Sequence, residues 1–198
     1  MKKLLMMTMA LGLSTAVCAE ECAYTAAQKA VRDAETVAEL METLPKDINL
    51  NATYPCGGSL GQLAILRGNS DNLHYLLDLG LNPNAEVSLM DRPIPGAPTT
   101  VPLPLYAARY SPASAIIDAL VEYKADFHVK DKAGHNVFWY FERNPVLRNS
   151  YLTKKGYESL LPLKERLRLA RERALKAQAE AEAAAASNQR LVPVKNAD

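Results

Sequence analysis

The chain has little from which to build an active site. It contains three cysteines, three histidines and one tryptophan in 198 residues. No two cysteines form a Cys-x-x-Cys pair, which removes the usual signature of a thiol redox centre. His74, His128 and His135 do not form His-x-x-x-His, and the spacing shows no carboxylate–histidine pair, so all three read as structural histidines. Gly-x-Ser-x-Gly is absent, as is a phosphate-binding loop, and Gly57-Gly58 reads as a turn. The expectation is therefore a protein without catalytic residues, cofactor or metal.

Charge is also scarce in concentrated form. The formal net charge is +1, and removing Lys2 and Lys3 takes it to −1. Residues 20–163 carry 13 basic and 17 acidic side chains, and residues 164–198 carry 8 and 5. No block of the sequence is basic enough to predict nucleic-acid binding. Only one long apolar run exists, from Leu4 to Val17. It follows Met1-Lys2-Lys3 and precedes Val17-Cys18-Ala19, which matches a signal peptide over residues 1–19. The run is short for a membrane span. Acylation at Cys18 fits less well, because Thr15-Ala16-Val17 stands where a lipoprotein has a leucine and a small residue. Export to the periplasm follows, with no stable membrane insertion after cleavage. The mature chain would keep Cys22 and Cys56, an even count that predicts one disulfide. In the chain-entropy treatment such a bridge contributes about 3–4 kcal/mol.

What the chain does have is recurrence. In Ser59 to Asn84, Leu63 and Leu66 recur at helical spacing before Gly68, and Leu73, Leu76 and Leu77 recur after it. Gly80 then sits at a helix C-cap. The stretch reads as helix, turn, helix, extended loop. Leu120 to His128 repeats Leu76 to Asn84, with Lys124 in place of Gly80. Pro104 to Arg109 opens a first helix as Leu60 to Leu66 does, and Glu35 to Glu42 imitates Asp71 to Asp78. Val37 to Leu73 spans about 36 residues and Leu76 to Leu120 about 44, so the second interval carries an insertion relative to a period of about 33.

These residues resemble the ankyrin-repeat family. Leu103-Pro104-Leu105-Tyr106-Ala107-Ala108 is similar to its Thr-Pro-Leu-His-x-Ala opening. Leu76 to Asn84 resembles its Leu-Leu-x-x-Gly-Ala-Asp-x-Asn close, and Asp131 to Phe138 its Asp-x-x-Gly-x-Thr-x-Leu hairpin tip. The resemblance covers about Ala26 to Leu161. It implies an all-α solenoid of about four helix-turn-helix repeats over residues 20–161, since one helix pair is too thin to bury its own apolar face. Residues 162–186 would add an Ala-rich charged helix, and residues 187–198 a disordered tail. Leu163, Leu167, Ala170, Ala174, Ala177, Ala181 and Ala184 form a heptad-like seam on that helix, and Glu172 and Lys176 are spaced to pair.

Within this frame Ala85 to Pro102, with Pro93, Pro95, Pro98 and Pro102, is an enlarged hairpin tip. It is either a tolerated insertion or a contact finger. Tyr151 to Leu161 is one capping helix. In Phe138-Trp139-Tyr140-Phe141, spacing points Phe138 and Phe141 inward and leaves Trp139 and Tyr140 nearer the surface. The resemblance implies a monomeric protein-binding module. Its partner-binding residues would be Asp91, Arg92, Arg109, Tyr110, Lys130, Lys132, His135 and Trp139. Small exported ankyrin proteins of Gram-negative bacteria include periplasmic immunity proteins, so the partner would be a secreted toxin or an envelope protein. An envelope tether or assembly factor acting through the C-terminal helix is the alternative.

Overall fold

The computed structural model describes residues 23–54, 56, 58–90, 92–161 and 163–190, the last five as backbone only. The expected signal peptide, Cys18, Cys22, Asp91 and residues 191–198 lie outside the described residues. Ten helices and one two-stranded sheet occur among the described residues. They are α1 (Ala26–Asp33), α2 (Val37–Thr43), α3 (Leu60–Arg67), α4 (Ser70–Asp78), β1 (Glu86–Ser88), β2 (Thr100–Pro102), α5 (Leu103–Tyr110), α6 (Ser114–Glu122), α7 (Val137–Glu142), α8 (Arg148–Tyr151), α9 (Lys154–Ser159) and α10 (Leu163–Arg190). The chain is mainly helical, as expected.

Consecutive helices pair: α1 with α2, α3 with α4, α5 with α6 and α7 with α8. The first helices of each pair pack in series, α1 to α3 to α5 to α7, and the second helices run alongside as α2 to α4 to α6. First helices begin at residues 26, 60, 103 and 137, so successive starts are 34, 43 and 34 apart. The longer middle interval contains the β1–β2 hairpin. Leu40, Leu60, Ile65, Leu73, Leu76, Leu103, Leu105, Ile116, Ile117 and Leu120 form one interior shared by neighbouring pairs. None of these helices exceeds nine residues before α10. Helices this short are marginal alone, so their stability comes from burial against the next layer.

Local chemistry repeats with the layers. Thr25, Thr36 and Ser59 each form a capping box, with Gln28, Glu39 and Gln62 respectively. Gln28 and Gln62 also reach forward: Gln28 Nε2 donates to the carbonyls of Cys56 and Gly58, and Gln62 Nε2 donates to that of Ser88 at 2.7 Å. The second helices close alike. Leu81 N–H donates to Leu76 O at 2.9 Å, and Ala125 N–H to Leu120 O at 2.9 Å, the outer bond of a Schellman turn. The turn needs a left-handed residue, supplied by Gly80 at φ 102° and by Lys124 at φ 62°. After it comes an Asx turn in which Asn49, Asn82 and Asp126 each accept from the N–H two residues on.

The residue that ends this turn links the layers. Asn51 donates to Gly80 O and accepts from Asn82 N–H at 2.7 Å. Asn84 repeats both bonds, to Lys124 O and from Asp126 N–H at 2.7 Å. At the third equivalent position stands His128, which makes no such clip among the described residues and packs edge-on against Tyr157 at 5.7 Å. The ladder thus ends in a ring contact to the C-terminal cap.

Residues 85–102 form a hairpin, as expected, paired antiparallel with Val87 opposite Val101, and its Val87, Leu89, Ile94 and Val101 are buried. Three expectations need correction. In α7 the buried residues are Val137, Tyr140 and Phe141, whereas Phe138 and Trp139 are half-buried. Val137 sets the phase, because i, i+3 and i+4 share a face, and Tyr140 can be buried because its hydroxyl reaches Asp131 at 2.6 Å. The capping helix is two pieces, α8 and α9, broken at Leu152–Thr153, where Thr153 caps α9 by accepting from Gly156 N–H at 3.0 Å. Finally, α10 runs to Arg190, beyond the expected end, and Glu172 pairs with Arg168 at 3.3 Å while Lys176 faces Glu180 at 3.9 Å.

Candidate functional site

The first-row helices, the β1–β2 hairpin and the turn before α7 meet on one side of the stack. Trp139 is at its centre. Its indole is stacked by the His135 ring at 4.0 Å and 15°, and the Arg143 guanidinium lies over it at 3.7 Å. Arg143 Nη1 also donates to the Trp139 carbonyl at 2.9 Å. Trp139 lies in α7, Arg143 caps its end and His135 precedes its N-cap Asn136, so the helix and the turn before it together align the three groups. The hairpin crosses beside them: a methyl group added at Gly96 would lie 3.6 Å from Trp139 Cζ2.

Asp131 fixes this arrangement from beneath. Its carboxylate is fully buried and accepts four hydrogen bonds. Oδ1 takes the N–H groups of Ala133 and His135, at 2.8 and 2.9 Å, and Oδ2 takes Tyr140 Oη at 2.6 Å and His135 Nδ1 at 2.9 Å. Burial by itself would raise the pKa of Asp131, but these bonds from Tyr140, His135 and the backbone outweigh it and hold the carboxyl below its ordinary value. Burial, reinforced by Asp131, pushes the Tyr140 phenol up in turn. A carboxylate–histidine pair is thus present, contrary to the sequence expectation: the residues are four apart across a turn. The pair orients an imidazole, and its other partners are a buried phenol and backbone. Among the described residues, no group of three or more His, Cys, Asp and Glu is placed to hold a metal.

A second cluster lies along the hairpin and the end of α5. Tyr110 Oη donates to Arg92 O at 2.7 Å, and the Arg92 and Arg109 guanidinium groups lie 5.9 and 4.9 Å from the Tyr110 ring. Burial raises the pKa of Tyr110. Tyr106 packs against the same ring at 4.8 Å. Arg109 Nε is buried without a hydrogen-bond partner among the described residues. Lys132 joins the turn to the base of the hairpin, donating to Thr100 Oγ1 at 3.0 Å and lying 3.9 Å from Glu86.

The structure therefore brings Arg92, Arg109 and Tyr110 into one cluster and His135 and Trp139 into another, with the hairpin beside both and Lys132 tied to its base. Lys130 is exposed and stands outside the two clusters; Asp91 is not among the described residues. Sequence reasoning missed Arg143, Gly96 and the Asp131–Tyr140 bond. Arg143 was detectable from its four-residue spacing to Trp139. Gly96 was not, because only the folded hairpin carries it to the indole. Cys56 is disulfide-bonded, while Cys22 lies outside the described residues.

The class these observations define is a mainly helical stack of paired short helices with an aromatic and arginine-rich face. The chain matches no family model, and no curated protein is similar to it. No helix among the described residues is long and apolar enough to cross a membrane.

Proposed function

We propose that the chain is an exported ankyrin-type binding module that engages another protein through the hairpin and the first-row helices around Trp139. The observation that carries this reading is the His135–Trp139–Arg143 stack. A large ring is held half-exposed in a fixed position by two flanking groups, so little ordering is needed when a partner packs on it. The repeated Schellman turns, Asx turns and asparagine clips support the ankyrin-type reading, because the same short elements recur at the same offsets. Inhibition of a toxin delivered from a neighbouring cell is the role that small exported ankyrin proteins suggest for it; an endogenous envelope protein is the other partner class.

The test is retrieval of a partner from periplasmic extract on the mature chain and on its Trp139→Ala variant. The reading expects one partner captured by the parent and lost by the variant, with unchanged circular dichroism. Equal capture by the two would refute the placement at Trp139. One feature favours the tether alternative: Leu163, Leu167 and Leu175 of α10 are 63, 57 and 68 % exposed. A chain ending at Leu161 separates the two readings, since the binding module keeps its partner and the tether loses it.

A further inference from the structure

The two rows of helices carry opposite charge. The second helices α2, α4 and α6 contain Glu39, Glu42, Asp71, Asp78, Asp118 and Glu122, all exposed, and no lysine or arginine. The first helices carry Lys29 and Arg32 on α1, Arg67 on α3 and Arg109 on α5, with Arg143 at the end of α7. Arg32 is answered by Asp33 and Arg143 by Glu142, the latter at 3.6 Å. Arg67 and Arg109 have no ion pair among the described residues, although Arg67 lies in the field of Asp33. Arg109 and Arg92 of the hairpin are the two cations beside Tyr110.

Helix dipoles do not account for this division. A dipole favours cations in the last turn, which suits Arg32, Arg67 and Arg109. It equally disfavours anions there, yet Glu42, Asp78 and Glu122 sit in the last turns of α2, α4 and α6. The second row thus holds acid where its own backbone opposes it. What the division does achieve is a purely acidic second row, and a first-row face whose acids Asp33, Glu86 and Glu142 are each answered by a cation, leaving Arg67, Arg92 and Arg109 in excess. Such an excess steers an oppositely charged partner to one side.

We propose that the partner docks an acidic protein segment on this face, its carboxylates meeting Arg67, Arg92 and Arg109 and its apolar side chains meeting Tyr110 and Trp139. Guanidinium groups suit carboxylates because they donate in parallel pairs. The aromatic rings between them favour a peptide carrying alternating acid and apolar groups over a uniform polyanion. This inference rests on the binding-module reading and adds the chemistry of what is bound.

The experiment is selection of a random peptide display library on the full mature chain, followed by affinity measurement with the selected peptides in parent, Arg67→Glu, Glu42→Lys and Trp139→Ala proteins. The expected result is peptides enriched in Asp and Glu together with apolar residues. They should bind at least about fivefold more weakly to R67E and W139A, lose affinity with added salt, and change less than about twofold with E42K. Peptides that depend on Trp139 but carry no acidic bias would overturn the acidic partner and leave the binding module standing. Peptides indifferent to R67E and W139A alike would count against the module reading itself. An equal and opposite response to E42K would mean net charge rather than this face governs binding, and tighter binding of heparin or DNA than of any selected peptide would replace the protein partner with a polyanion.

Discussion

Replacing Asn144 with alanine should be among the most damaging single changes to the stack. Asn144 is 1 % exposed and uses its whole amide. Nδ2 donates to Ala108 O and Ser111 O at 3.0 Å each, and Oδ1 accepts from Val146 N–H at 2.9 Å and Leu147 N–H at 3.0 Å. The two carbonyls belong to the end of α5, where helix geometry leaves acceptors unpaired. The two N–H groups lead into α8. Asn144→Ala strands all four, of which three are buried. At about 1 kcal/mol for each buried group left without a partner, and less for the partly solvated Val146, the loss is about 3–4 kcal/mol.

Asn72 provides an internal comparison. It is buried to a similar degree, but among the described residues its only side-chain donation goes to Ala34 O at 3.0 Å and its Oδ1 has no partner. Asn72→Ala strands one carbonyl and relieves one unsatisfied oxygen, for a loss of about 1 kcal/mol. The two variants should therefore differ by about 2–3 kcal/mol. Asn144→Asp keeps the acceptor but turns an oxygen toward two carbonyls, so it should approach the alanine variant. Urea denaturation of the oxidised chain, followed by far-ultraviolet circular dichroism and Trp139 fluorescence, measures each. An N144A cost below about 1 kcal/mol, or no larger than that of N72A, would refute the reasoning that full use of the amide sets its worth.

Three further outcomes follow from named contacts. Tyr140→Phe removes a charge-assisted hydrogen bond to Asp131 and should cost about 1.5–3 kcal/mol at neutral pH. Because the folded pKa of Asp131 lies below its ordinary 3.8, the carboxylate's contribution is fully present above that value and is lost as pH falls through the folded pKa. The variant should begin acid unfolding at a higher pH than the parent, whereas D131N should flatten that limb of the stability profile. Lys124→Gly relieves a left-handed residue and should raise stability by up to about 1 kcal/mol, while Gly80→Ala lowers it by a similar amount, in thermal unfolding. Reduction of the Cys56 disulfide should lower stability by about 3–4 kcal/mol in the same assay, with C22S reproducing the loss if Cys22 is its partner.

Short-range signals in the sequence were read correctly where the deciding physics is local. Gly68 and Gly80 mark the ends of α3 and α4, and the repeat pattern sets Lys124 at the equivalent of Gly80, where its φ is 62°. The reading of α7 went astray because four consecutive aromatics all satisfy an apolar pattern. Which of them turns inward depends on Val137 at the start of the helix and on whether Tyr140 finds an acceptor. The hairpin was legible as a proline-rich insertion between repeats, but its prolines say nothing of pairing at Val87 and Val101 or of its packing beside Trp139. The Asp131–His135 pair escaped because its four-residue spacing falls on a turn rather than a helix, where spacing alone does not say that the two side chains meet.

By itself the sequence determined the succession of helix pairs up to α7, the glycine turns that end α3 and α4 and the place of the insertion, since caps, glycines and apolar periodicity act over a few residues. Only the tertiary structure decided that the insertion folds onto Trp139, that Asn51 and Asn84 clip successive layers, and that acid and base are divided between two rows. Those outcomes depend on which helix faces join when each thin pair buries its apolar side against the next. That choice is made by long-range packing, which no single window of residues contains.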